Sequence, residues 1–311
     1  MKLNNSIKIA IANFSLFWKL LLYKIVSIGI GGLFLLPIFR TIKSCLISSG
    51  FAHGVKQFFS PVIFKSIPEL IRQLKFTFDA SLEFVGDLFS TNALIGIYFL
   101  LIAFILIPFL AKLSELPSSE TIYGFMSSLR RNHFTVNFVN FLPKSLLYSL
   151  IRTLLEIPVF LMLFFGVYGF VSLGLSSEFW LYVSPIALFA YVLVLLALNV
   201  SLLNAWSSSL VVFNCGVFKG LRKGLCALKR KFGSVMSSFA VIYTIVICLL
   251  YGFGLYSFIA IFPFMTLIIA VFGQVLFFES QGMNYYILPD KIIEPKKLEE
   301  TDNIKKVKFI V

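Results

Sequence analysis

Apolar runs of about 20 residues, the length that carries a helix across roughly 30 Å of hydrocarbon, recur in this chain from Leu20 to Ser280. They fall at about 20–39, 94–111, 154–175, 180–203, 235–256 and 259–280. A chain of 311 residues that is 59% apolar and 13% charged cannot hide that much hydrocarbon in a soluble core of its own size, so its solvent is lipid. The expected fold is all-α: a polytopic membrane bundle of six transmembrane helices over 1–280, with interfacial amphipathic helices. The tail 281–311, with Pro289, Pro295 and a mixed charge run, reads as a disordered cytosolic end.

How the chain threads follows from its cations. Between spans four and five, Val217 to Phe232 holds Lys219, Arg222, Lys223, Lys229, Arg230 and Lys231 and no acidic residue. At helical spacing Phe218, Leu221, Leu225, Leu228 and Phe232 share one face, the pattern of a helix lying in a membrane interface with its six cations against lipid headgroups. Short loops rich in Lys and Arg stay cytosolic. With both termini and this helix inside, 21 cations lie on the cytosolic side and 6 on the other, which accounts for all 27. The net charge of +13 then reads as topogenic charge facing lipid rather than affinity for nucleic acid. The first run follows Lys2, Lys8 and Lys19 and precedes Arg40 and Lys43 without a small-residue cleavage pattern, so it reads as an uncleaved span. Lys24, about one turn inside it, is expected to snorkel to the interface. The address is a bacterial cytoplasmic membrane.

Two further segments are legible. Ile67, Leu70, Ile71, Leu74, Phe78, Leu82, Val85, Leu88 and Phe89 form one stripe opposite a charged face, which predicts an outer amphipathic helix over 67–89 resting on lipid or on the bundle. Ser66 and Glu69 have capping-box spacing, and Pro68 suits a first turn. The segment Glu115 to Lys144 reads as polar, interfacial and cytosolic. Each odd-numbered span thus follows a surface segment, a pattern of surface helix, span and return span that suggests a threefold hairpin repeat. Span four ends near Leu203 or continues to Val212, depending on whether the helix runs through Asn204 and Ser207 to Ser209.

Reaction motifs are missing. His53 and His133 fall on opposite sides of the proposed membrane and cannot share a metal, and there is no zinc-protease motif, phosphate-binding Gly-rich loop or nucleophile elbow. Cys45, Cys215, Cys226 and Cys248 form no pairwise motif and read as small apolar fillers. No catalytic residue, metal site or cofactor is therefore assigned. The candidate site is a set of polar residues inside or beside the apolar runs: Arg152, Glu156, Asn199, Asn204, Gln274 and Glu279, all toward the cytosolic half. Arg152 and Glu156 are four apart on one helix face, where they can pair. The outer helix 67–89 and the basic helix 217–232 are the surfaces offered to a protein partner. A transporter would add a small-molecule substrate that the sequence does not name.

The stretch GLRKGLCALKRKFGSVMSSF from Gly220 to Phe239, with GMNYYILPD ending the last hairpin and a weaker echo in GFMSSLRRNHF from Gly124 to Phe134, resembles uncharacterised six-span bacterial membrane protein families. These include families similar to the membrane region beside some glycerophosphodiester phosphodiesterases. The resemblance covers about the last third, lacks the phosphodiesterase domain, and implies a fold and a membrane without an active-site residue. The reading is a non-enzymatic component supporting transport or envelope maintenance. Its rival is an integral-membrane enzyme acting on lipid.

Overall fold

Within hydrocarbon a helix satisfies every backbone hydrogen bond in its own segment, and the chain is helical nearly throughout. The computed structural model describes residues 3–58, 66–128, 133–229, 231–253, 257–288 and 291–294. In chain order run α1 (Leu3–Ala12), α2 (Ser15–Leu35), α3 (Phe39–Ser48), α4 (Phe51–Phe58), α5 (Ile67–Thr91), α6 (Ala93–Leu101), α7 (Ile107–Lys112), α8 (Glu115–Ser128), α9 (Phe134–Gly174), α10 (Glu178–Val212), α11 (Val217–Lys229), α12 (Phe232–Phe253) and α13 (Ser257–Gln281). A short antiparallel hairpin, β1 (Tyr285–Leu288) with β2 (Lys291–Ile293), follows. Among the described residues six helical stretches are long and apolar enough to cross a membrane: Ser15–Ser48, Ala93–Ser128, Phe134–Gly174, Glu178–Val212, Phe232–Leu250 and Ile259–Gln281. The protein is an all-α polytopic membrane bundle.

The central helix is α13. Leu267 to Phe272 and Val275 to Phe278 are all buried, and it packs against α2, α8, α10, α11 and α12. The other spans leave Leu22, Leu33, Leu161, Phe165 and Ile186 among many large apolar side chains exposed, as a lipid-facing surface requires. Proline shapes two spans. Pro37 sits in a single 3-10 turn, Leu36–Ile38, between α2 and α3. Pro108 cannot donate to the carbonyl four residues earlier, and the turn before it, Ile102–Leu106, is π-helical, with the Ile107 amide bonding back to Ile102.

The threading differs from expectation at several points. For span four, whose end the sequence leaves open between Leu203 and Val212, the longer alternative holds: α10 runs through Asn204 to Val212. Helix α9 starts at Phe134, well before 154, because its polar residues Asn137, Ser145, Ser149, Arg152 and Thr153 all turn inward. At 41 residues it measures about 60 Å, roughly twice the hydrocarbon thickness. The bundle therefore extends beyond the bilayer on the side where α1, α8 and the hairpin pack together.

The segment from Glu115 is correspondingly no surface helix. Ten residues of α8, from Glu115 through Met126, are buried against α9, α10 and α13. Two of its hydroxyls bond back into the helix, Ser118 to the Ser114 carbonyl at 2.6 Å and Thr121 to that of Pro117 at 2.9 Å, while Ser119 donates to Ser207 of α10 at 2.8 Å. That local closure lets a polar-looking sequence enter a core. Arg130 and Arg131 lie outside the described residues. The tail also departs from disorder at its start: Tyr285 and Ile287 are buried, and β1 packs on α1 and α8. Residues 295–311 lie outside the described part.

The stripe over 67–89 does form a helix and does face the bundle. Ile71 packs with Val167 and Val171 of α9, and Phe84 and Leu88 with Ile42 and Cys45 of α3, while Ile67, Leu82 and Phe89 stay exposed. Most of the apolar surface offered to an outer partner is thus used internally. Pro68 occupies the first turn, but the Ser66 side chain makes no cap bond, so the capping box does not form.

Candidate functional site

A charge buried among apolar helices must find opposite charge and hydrogen bonds close by, and five charged side chains do so at one place. Glu115 begins α8, Lys112 ends α7, and Tyr148, Arg152 and Glu156 follow one another at single-turn spacing on α9. Arg152, 2% exposed, reaches Glu115 at 3.0 Å and Glu156 at 3.2 Å. Glu156 also holds Lys112 at 2.7 Å. The Tyr148 hydroxyl donates to Glu115 at 2.7 Å and accepts from Arg152 at 2.5 Å. Lys24 of α2 donates to the Ala111 carbonyl, within electrostatic range of both carboxylates. It is buried and does not snorkel. Three cations against two carboxylates leave one positive charge in excess.

The sequence found Arg152 and Glu156 and their pairing. It placed Lys24 at the interface instead of in the cluster, and it missed Lys112, Glu115 and Tyr148, which come from other helices or carry no spacing signal of their own. Tyr148 was detectable, because residues 148, 152 and 156 share one helix face.

Beside the cluster lies a neutral polar layer. Helices α9 and α10 run antiparallel, with Gly174 against Ser184, Gly166 against Tyr191 and Tyr148 against Trp206. That register brings Thr153 level with Asn204 and Ser149 level with Ser208. Ser201, Asn204 and Ser208 share one face of α10, and α13 meets that face at Gly273, where an added Cβ would lie 2.5 Å from the Asn204 carbonyl oxygen and 2.7 Å from Ser208 Oγ. The next residue, Gln274, is fully buried, and its Nε2 donates to the Ser119 carbonyl at 3.0 Å. Both amide atoms of Asn204, Oε1 of Gln274 and the hydroxyls of Ser149, Thr153, Ser201 and Ser208 have no hydrogen-bond partner among the described residues. Buried polar atoms are usually paired, and each unpaired one costs about 1–3 kcal/mol. So many close together single out this layer as the candidate site.

The remaining candidates fall elsewhere. Asn199 is half-buried on α10, and by its spacing it faces away from Asn204. Glu279 is ion-paired with Lys231 and accepts from Tyr285 at 3.2 Å, while Asn5 of α1 donates to the Tyr285 hydroxyl at 3.3 Å. Burial pushes the Tyr285 phenol up to about 12, so it stays protonated and donates. This network ties α1, α13 and the hairpin together. Of the headgroup-contact candidates, Lys219, Arg222, Lys223 and Lys229 are exposed on α11, Lys231 is the half-buried partner of Glu279, and Arg230 lies outside the described residues.

The helix α11 packs by a face other than its bulky one. Val217, Gly220, Gly224, Ala227 and Leu228 are buried against α10, whose Trp206 indole donates to the Val217 carbonyl at 2.9 Å and Ser209 to that of Gly220 at 2.5 Å. Phe218 and Leu225 remain exposed. A groove lined by apolar residues lies between span two and α9, with Leu101, Ile105, Phe109, Pro143, Leu147 and Leu150 among its walls. No group of three or more metal-ligating side chains occurs among the described residues. Comparison with family models, characterised proteins and solved structures gives no match.

Proposed function

We propose that this integral membrane protein is a non-enzymatic, transport-related or envelope-maintenance component of a bacterial cytoplasmic membrane, whose working centre is the polar layer of Asn204 and Gln274 beside the five-charge cluster. The observation that carries the reading is the set of fully buried, unpartnered amide and hydroxyl atoms inside the bundle beside the α10–α13 contact, since buried polar groups left unpaired commonly mark functional sites. The test is a stabilisation screen of the full-length protein in nanodiscs against small anions, cations and neutral polar solutes. At least one class should raise the wild-type melting temperature. Asn204→Leu, which removes two unpaired polar atoms, should itself melt higher than wild type and lose that response. A protein that responds to no solute class but turns over phospholipid would overturn the reading in favour of a lipid enzyme. That rival has one observation behind it, the apolar groove whose lining residues Phe109 and Leu147 sit within one turn of Lys112 and Tyr148.

In the proposed orientation the face carrying α1, α11 and the hairpin is cytosolic. Four exposed cations on α11 support this. Reporters fused after Lys231 and at Val311 should behave as cytosolic, and one inserted near Asp79 as external. A cytosolic signal at Asp79 would refute the threading.

A further inference from the structure

The packing of α11 on α10 fixes which way its remaining surface points. A Cβ at Gly220 would lie 2.5 Å from Leu210 Cδ2 and one at Gly224 3.0 Å from the Ala205 backbone, so the helix cannot rotate or lift without breaking the contact. With that face committed, Phe218, Leu221, Arg222, Leu225, Cys226 and Lys229 line one shallow groove on the outside. Phe218 is 69% exposed. Residues 218, 222, 225 and 229 fall on a single stripe, so the backbone positions of one guanidinium and one ammonium lie about 10 Å apart with apolar side chains between them. Lys223 belongs to a different face, its Nζ 3.5 Å from the centroid of the Phe213 ring.

We propose that this groove binds an acidic glycerophospholipid, with the phosphate between Arg222 and Lys229 and the glycerol and upper acyl carbons on Phe218, Leu221 and Leu225. Charge complementarity argues for an anion, because no acidic residue lies between Val217 and Phe232. The apolar floor argues for a lipid over a free phosphate. Position agrees: α12 begins at Phe232 and is a membrane-crossing helix, which places α11 at the bilayer surface. The proposal is independent of any solute at the Asn204 layer, and either can fail alone.

The experiment measures phosphatidylglycerol retained by the full-length protein in native mass spectrometry, with phosphatidylcholine as competitor. Arg222→Gln/Lys229→Gln should lower retention on the order of tenfold. Phe218→Ser, a second route to the same face, should lower it as well. Lys219→Gln/Lys223→Gln, which removes equal charge from residues that do not line the groove, should leave retention close to wild type. Equal losses from the two charge-removing pairs would mean unspecific attraction and overturn the site. Displacement of the lipid by inorganic phosphate alone would assign the groove to a soluble anion and overturn it too.

Discussion

Arg152→Met is expected to destabilise the protein by about 3–5 kcal/mol, the usual result of removing one partner from a buried ion pair, and to remove most of the folded protein from the membrane. The size follows from what is left behind. Glu115 and Glu156 both lose a hydrogen-bonded cation, at 3.0 and 3.2 Å, and the Tyr148 hydroxyl loses its donor, all in a region almost without solvent. Apparent melting temperature in detergent, with protein abundance in membranes, measures the loss. Compensation identifies the partner that matters. Arg152→Met/Glu115→Gln leaves the Lys112–Glu156 pair intact at 2.7 Å and should recover most of the stability. Arg152→Met/Glu156→Gln strands both Lys112 and Glu115 and should recover little. The reverse order would show that Arg152 and Glu156 form a self-contained pair, as their spacing alone suggests.

That contrast shows where the sequence stops being informative. Spans were readable because hydrocarbon length and residue polarity are one-dimensional properties, and the stripe over 67–89 because amphipathic periodicity survives without knowledge of the partner. Arg152 and Glu156 were readable for the same reason, both lying on one helix. Glu115, Lys112 and Lys24 join them only through tertiary packing, and nothing in their local sequence announces it. The burial of α8 was hidden because Ser118 and Thr121 look polar but close their hydroxyls onto their own helix. On α11, weighting residues by hydrophobicity selected Phe218 and Leu225, whereas close contact between helices selects the smallest residues, Gly220 and Gly224. Of the bulky face that the sequence set toward the membrane interface, Phe218 and Leu225 stay exposed.

Gly273→Ala is the second change expected to have a large effect, and it probes the contact on which the polar layer depends. The added methyl would sit 2.5 Å from the Asn204 carbonyl oxygen. That atom belongs to the backbone of a long helix and cannot swing aside as a side-chain tip would. The 2.7 Å approach to Ser208 Oγ is softer, since a rotamer change relieves it. Separating α10 from α13 by even a few tenths of an ångström loosens a dense interface that includes Ala205, Phe272 and Leu276, and overpacking of this kind costs about 1–3 kcal/mol. The same substitution at Gly32, on α2, meets nothing within 4 Å. Because Ala is favoured over Gly in a helix by up to about 1 kcal/mol, Gly32→Ala should leave melting unchanged or raise it. The two variants differ in position but not in chemistry, so their melting temperatures in the same nanodiscs isolate the packing term. If Gly273→Ala melts no lower than Gly32→Ala, then α10 and α13 do not touch at Asn204, and the amide of Asn204 and Oε1 of Gln274 do not share one buried layer.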